Sequence, residues 1–403
     1  MVFITNLRIK NFFSIKDEVN INFKATPYNI EHNPNRLFEF NGEYYNKIIS
    51  FYGANASGKT TILKAITTLA SVTQNEQSDN FPISFKNKFA HLNTNSEIEI
   101  EFIVEEEKFI YLLKFKSQKY NNIGIDDEVL YVVENTKKTT ILNRKEKIAK
   151  DIDDNIKEAI FYNLNDKKSL IQEFLKFDNS VIRYKVNIFF THLSLTSRNI
   201  STYKTKLNTD EDDEYNIGEL LEISEYKKEI ESFFVRFFNS IGLDIHRVEA
   251  KFKYVDGKER EFLGLEIFHK IDTKEPLEFN LESDGTQMLM KTLLDIYLAK
   301  RLNSILIIDE FDSILHPMLI PIINNLLIEN DIQIIYSTHN IYNMQFLQND
   351  EIFLIEKDSE HKTTINPVKN NKEIKGYKNL LTLYENGDLG GLPDIKEIFT
   401  KIV

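Results

Sequence analysis

Gly53-Ala-Asn-Ala-Ser-Gly-Lys-Thr60 follows the apolar run KIISFY (47–52) and precedes Ile62, Leu63, Ile66 and Leu69, which recur at helical spacing. The pattern predicts a buried strand, a glycine-bounded loop and a helix opening near Gly58. In that context the spacing G-x-x-x-x-G-K-T has a physical purpose. Its glycines let backbone N–H groups turn inward around phosphate oxygens, and the helix N-terminus adds partial positive charge. Lys59 can reach a terminal phosphate, and the Thr60 hydroxyl suits a magnesium ion. Gly53, Ala54, Asn55, Ala56, Ser57, Gly58, Lys59, Thr60 and Thr61 are therefore the candidate phosphate-binding residues.

Working outward, the first fifty residues alternate in polarity as strands do, and EIEIEFIVE, KFIYLLKFK, VLYVVEN and TTILNR predict an antiparallel sheet of hairpins over 97–143. From about 146 to 240 apolar residues recur at three and four, predicting helices. Strand patterns return at 243–256 and 261–271. SILIID, IQIIYST and EIFLIE are continuous apolar runs separated by helical segments, the mark of buried parallel strands. The expected fold class is α/β, with a β-rich N-terminal part, a parallel-sheet core carrying the glycine loop, and a mainly helical insert. Expected boundaries are 1–145, 146–242, 243–367 and a tail, 368–403, packing on the core.

The chain has 403 residues, enough for two or three domains. No apolar run approaches the roughly 18 residues of a membrane span, and the start lacks a signal peptide's apolar centre. No cysteine is present, which excludes disulfides, thiolate nucleophiles and cysteine-bound zinc. A cytoplasmic location is the simplest expectation. Fifty basic against 62 acidic residues give a charge of −12, which rules out a uniformly basic coat for nucleic acid but not a local groove.

Three further stretches bear on chemistry. Ser304-Ile-Leu-Ile-Ile-Asp-Glu310 is an apolar strand ending in two acids. Asp309 stands where open α/β sheets carry ligand groups and can hold the hydration shell of Mg²⁺, while Glu310 is placed to polarise a water. Ser337-Thr-His339-Asn340 ends the next strand and would bring His339 to the same sheet edge. Leu281-Glu-Ser-Asp-Gly-Thr-Gln287 precedes an amphipathic helix; Ser283 and Gly285 form either an N-cap and turn or a second phosphate-binding terminus. Asp312 and His316 follow the acidic pair directly.

In that order, GANASGKT, ESDGTQ, ILIIDEFDSILHP and STHN resemble the ABC-type ATPases of the RecF, SMC and OLD group. They look most like the stand-alone ABC-like AAA ATPases of bacterial phage-defence and abortive-infection systems, of the RloA, AbiL and PARIS type. The resemblance implies ATP and Mg²⁺ as ligands and a homodimer, or higher homo-oligomer, that sandwiches nucleotide. Lys59, Glu310 and His339 would be catalytic and Thr60 and Asp309 would hold the metal. Ser283 and Gly285, with Asp312, would act in trans on the other copy's nucleotide. The implied role is a defence switch governing a separately encoded effector, such as a Toprim-type nuclease, since the 47 residues after Glu356 are too few for one in the chain. The alternative is a RecF-like DNA-binding ATPase of repair or recombination, with Lys137, Lys138, Arg144, Lys145 and Lys147 lining a groove. Two departures stand out: the signature reads ESDGTQ rather than LSGGQ, and Phe13 stands where related ATPases often carry an arginine.

Overall fold

The computed structural model describes residues 1–74, 94–116, 124–150, 152–177, 180–194, 204–206, 214–216, 224–255, 259–278, 281–302, 305–311, 316–358, 362–370, 380–386 and 388–389. The chain divides into two compact units. One comprises Met1–Ser194, Leu302–Ser313 and Pro317–Val403; the other comprises Leu195–Arg301 and Ile314–His316.

The first unit opens with β1 (Val2–Lys10), β2 (Val19–Asn22), α1 (Pro27–His32), the hairpin β3 (Leu37–Phe40) and β4 (Glu43–Asn46), and β5 (Ile48–Tyr52). Next come α2 (Lys59–Gln74), β6 (Ser96–Val104), β7 (Glu107–Phe115), β8 (Ile125–Glu134), β9 (Lys137–Asn143) and β10 (Ile148–Ala149). Helices α3 (Asp154–Asn163), α4 (Leu170–Phe177) and α5 (Val181–Ser194) complete this stretch. Seven strands form an antiparallel sheet in the order β10-β9-β8-β7-β6-β1-β2. Its alternation is literal in β6. Ile98, Ile100 and Phe102 are fully buried, while Glu97, Glu99 and Glu101 take cross-strand cations, Lys114 (3.5 Å), Arg8 (3.0 Å) and Lys108 (2.8 Å). Opposite charges across the strands offset the repulsion within the acidic row. Between β8 and β9 the two-residue turn Asn135-Thr136 has positive φ at both positions, the twist a tight hairpin needs.

The second unit holds the short pair β11 (Lys204–Lys206) and β12 (Glu214–Asn216), helix α6 (Ser224–Ser240), and a three-stranded antiparallel sheet. Its strands are β13 (Ile245–Val255), β14 (Glu259–His269) and β15 (Asp272–Glu278), and α7 (Asp284–Leu302) follows them. Helix α6 packs on β13 through an apolar stripe in which Ile230, Phe234 and Phe238 are buried. In α7 the buried face is Leu289, Met290, Leu293, Leu294 and Ile296, while Met288 is only half-buried.

The chain then returns to the first unit with β16 (Leu306–Ile308), α8 (Ile320–Glu329), β17 (Ile334–Thr338), β18 (Ile352–Lys357), β19 (Thr363–Pro367) and α9 (Leu380–Glu385). The second sheet of this unit runs β16-β17-β5-β18-β19, with the first four strands parallel and β19 antiparallel at the edge. The strand that feeds the glycine loop thus lies at the centre, flanked by the strands ending in STHN and EIFLIE. The expected α/β class is present: an antiparallel sheet and a parallel core meet in one hydrophobic cluster. Helix α2 contributes Ile62, Ala65, Ile66 and Leu69 to it, and α5 contributes Phe189 and Phe190. Gln333, fully buried, ties the layers together. Its side chain accepts from the N–H of Ile4 (2.7 Å) and donates to the carbonyls of Ile4 (2.9 Å) and Asn46 (3.2 Å).

Candidate functional site

Strand β5 ends at Tyr52 and the backbone turns at once. A Cβ on Gly53 would sit 2.3 Å from the carbonyl oxygen of Ile355, so only glycine lets the loop pass β18. Gly58 has φ +119°, and a Cβ there would lie 2.8 Å from both the Ser14 and Thr363 hydroxyls. Ala56 also takes a left-handed φ of 62°. The loop therefore closes on itself before α2, whose first turn begins with Thr61 N–H to the Gly58 carbonyl (3.0 Å).

A cavity of about 390 Å³ opens at this point. Ser14, Asn55 to Thr61, Asp309, Glu310 and His339 line it. These groups lie up to 325 positions apart in the chain, and within the first unit the structure brings them together. Lys59 is buried, and its ammonium donates to the carbonyls of Gly53 (2.8 Å) and Ala54 (3.0 Å) and lies 3.4 Å from His339 Nδ1. Burial pulls its pKa down to about 8, against the opposing pull of Asp309 and Glu310. His339 is held below the usual imidazole value, first by burial and then by the charge of Lys59, which leaves its ring neutral near pH 7 and able to accept a hydrogen bond.

The two acids emerge where β16 stops. The Thr60 hydroxyl donates to Asp309 Oδ2 (2.8 Å), while Ser337, from the neighbouring β17, donates its hydroxyl to the other carboxylate oxygen. That same Ser337 oxygen accepts the N–H of Glu310 (2.8 Å), and Glu310 sits at φ 53°. One buried serine thus aims both acids. A hydroxyl and a carboxylate are hard oxygen donors suited to Mg²⁺, which retains several waters and takes few protein ligands. Among the described residues no cluster of three or more His, Cys, Asp or Glu could hold an ion by itself. The chemistry of this hydroxyl–carboxylate pair fits a hard divalent cation.

Sequence reasoning missed Ser337, Ser14 and Thr363. Ser14 donates to the Thr61 hydroxyl (3.0 Å), and Thr363, on β19, donates to the Ser57 carbonyl (2.9 Å), so both brace the loop from outside. Both crowd the position a Cβ on Gly58 would take, a constraint that appears only once the strands are in place. Phe13, at φ 46°, lies under Lys64, whose ammonium is 5.6 Å from the ring centre. Ser283 and Gly285 belong to the second unit, at the start of α7, and Asp312 lies outside the described residues. Of the candidate groove cations, Arg144 turns inward to the carbonyls of Lys168 (2.9 Å) and Asn165 (2.5 Å), Lys145 pairs with Asp126 (2.8 Å), and Lys138 lies over Tyr131. No helix among the described residues is long and apolar enough to cross a membrane.

The solved structures similar to this chain include three SMC heads. One is the SmcHead bound to the C-winged helix domain of ScpA, at 15% identity and TM-score 0.49, covering 93% of this chain and 99% of that one. The SMC head domain from Thermotoga maritima matches at 14% identity and TM-score 0.42, over 90% and 98%. The Smc head domain with an extended coiled coil, bound to the C-terminal domain of ScpA derived from Pyrococcus furiosus, matches at 16% and 0.46, over 93% and 99%. No curated protein matches the chain. The family model described as "AAA domain, putative AbiEii toxin, Type IV TA system" matches residues 48–344, from the start of β5 to beyond His339. The match spans well over half of the chain, and the chain belongs to that family of AAA domains.

Proposed function

We propose that the chain binds ATP with Mg²⁺ and hydrolyses it to ADP and phosphate, and that two copies close around the nucleotide. The observation that carries this reading is the convergence of Lys59, Thr60, Asp309, Glu310 and His339 on one cavity behind a glycine-bounded loop. Phosphoryl transfer asks a protein mainly for positioning and for charge to meet the phosphate oxygens. The N–H groups of 55–61 and the Lys59 ammonium hold the phosphates. Thr60 and Asp309 hold the magnesium ion, which neutralises charge on the phosphate oxygens when bound. Glu310, its backbone fixed by Ser337, orients and polarises the attacking water. Neutral His339 donates or accepts a hydrogen bond beside the terminal phosphate.

In this reading the signature residues Ser283 and Gly285, with Asp312, complete the nucleotide site of the other copy. Closure on ATP and release after hydrolysis make a switch. The family's description as a putative toxin of a type IV toxin–antitoxin system supports a place for that switch in such a system; control of a separately encoded effector in phage defence is the role this reading assigns to it.

Glu310→Gln tests the chemistry. It keeps size and hydrogen bonding but cannot polarise water, so nucleotide affinity stays within about twofold of wild type while kcat falls by about 100-fold or more. Equilibrium binding of a fluorescent ATP analogue and a phosphate-release assay measure the two. A variant that hydrolyses at the wild-type rate removes Glu310 from its assigned role.

A further inference from the structure

The loop before α7 is held more firmly than a helix start requires. An N-cap needs only the Ser283 oxygen to accept the Thr286 N–H, which it does at 3.1 Å. Here Glu282 is also fixed, its side chain only 9% exposed, by His269 at the end of β14, with Nε2 2.6 Å from Oε1. Gln287 reaches back to donate to the Glu282 carbonyl (2.8 Å), and its N–H donates to the Ser283 carbonyl (2.9 Å). The buried Thr286 hydroxyl lies 2.8 Å from the exposed Ser283 hydroxyl. Both flanks of one exposed serine are thus pinned.

The hydrogen-bond inventory of that serine is informative. A hydroxyl has one proton and two acceptor positions. The Thr286 N–H occupies one position. If the Thr286 hydroxyl donates to the other, the Ser283 proton has no acceptor left in the loop and points to whatever lies outside. An anion at the N-terminus of this 19-residue helix selects that arrangement, because a phosphate oxygen needs the proton and the helix end favours negative charge.

We infer that His269 and Thr286 are positioning residues: through Glu282 and the capping pair they hold Ser283 as a prepared hydrogen-bond donor to the terminal phosphate of a nucleotide carried by another copy. The inference rests on the trans role proposed for Ser283 and adds the residues that make this serine competent. Neither His269 nor Thr286 touches the nucleotide.

Four variants test it: His269→Ala, His269→Gln, Thr286→Val and Thr286→Ser. Each is measured in the full chain for kcat at saturating MgATP, for affinity toward a fluorescent ATP analogue, and for melting temperature. Losing the His269 or Thr286 contact (His269→Ala, Thr286→Val) lowers kcat about tenfold or more, by analogy with the loss of a preorganised donor. Nucleotide affinity stays within about twofold, because the Lys59 loop is untouched. His269→Gln and Thr286→Ser, which restore a donor at the same place, recover most of the rate. An active wild type with equally active His269→Ala and Thr286→Val overturns the inference and leaves the ATPase reading standing. A rate loss matched by lost affinity and melting temperature, with no recovery in the conservative variants, also overturns it. A wild type that neither binds nor hydrolyses ATP removes the ATPase reading, and the inference with it.

Discussion

Lys59 carries its charge in a place that resists it. Its carbon stem is buried, and two carbonyls, Gly53 and Ala54, accept hydrogen bonds from its ammonium, while burial still lowers its pKa to about 8. Triphosphate oxygens favour the charged form, so nucleotide binding restores the proton wherever free Lys59 has lost it. Below about pH 8 the ammonium is charged with or without nucleotide, and this group leaves affinity flat. Above it, binding takes up a proton, and Kd rises toward about tenfold per pH unit. Calorimetric titrations with MgATP from about pH 6.5 to about pH 9.5, in buffers of different ionisation heat, measure both affinity and proton uptake. Affinity unchanged to the alkaline limit contradicts the assigned contact. At the same scale, Lys59→Ala removes the charge-assisted hydrogen bonds to phosphate, worth about 1.5–3 kcal/mol each. Affinity then drops by at least about tenfold, read by the same titration, and undiminished binding removes the lysine from the phosphate site.

At the scale of elements, the first unit depends on joints that no local pattern announces. Glu128 on β8 is fully internal, and its carboxylate accepts from the Tyr111 hydroxyl (2.9 Å), the Ser169 hydroxyl (2.6 Å) and the N–H groups of Leu170 (2.6 Å) and Ile171 (3.0 Å). Arg144 stands 3.6 Å away. A strand carboxylate therefore caps α4 and meets its positive end. Glu128→Ala strands four donors and a mostly buried guanidinium, and costs about 3–5 kcal/mol of unfolding free energy, measurable by urea denaturation. A loss under about 1 kcal/mol means that water or a neighbour replaces the carboxylate. The contrast with the glycine loop explains what was readable. GANASGKT places its chemistry on adjacent residues, and the alternation of β6 or the apolar runs of β17 and β18 repeat over a few positions, so a linear reading finds them. Glu128 sits in the alternating strand VLYVVEN's approach, where it looks like any outward acid. Ser337 braces Asp309 and Glu310 from 27–28 positions away, Thr363 supports Ser57 across 306, and Gln333 reaches Ile4 across 329. Such contacts exist only once the sheet order does, and polarity at one position does not encode them.

For the whole molecule, the proposed closure of two copies makes assembly and hydrolysis depend on the same serine while leaving nucleotide capture to another part of the chain. The cavity that holds Lys59, Asp309 and Glu310 is built by the first unit, and Ser283 belongs to the second. Ser283 is exposed, so a larger side chain there disturbs little of its own fold. Ser283→Arg adds bulk and a positive charge where the proposed sandwich requires close approach to a phosphate, and it removes the hydroxyl that caps α7, at about 1 kcal/mol. Affinity for MgATP at low protein concentration stays within about twofold of wild type, because the loop from Gly53 to Thr61 is unaltered. ATP-dependent association is lost. Sedimentation velocity on Glu310→Gln, which slows nucleotide turnover, gives the reference: its boundary shifts to a faster species when MgATP is added, and Glu310→Gln combined with Ser283→Arg remains at the slower one. A double variant that still assembles on ATP shows that the copies meet without this serine, and a reference that stays at the slower boundary at every protein concentration rules out the sandwich itself.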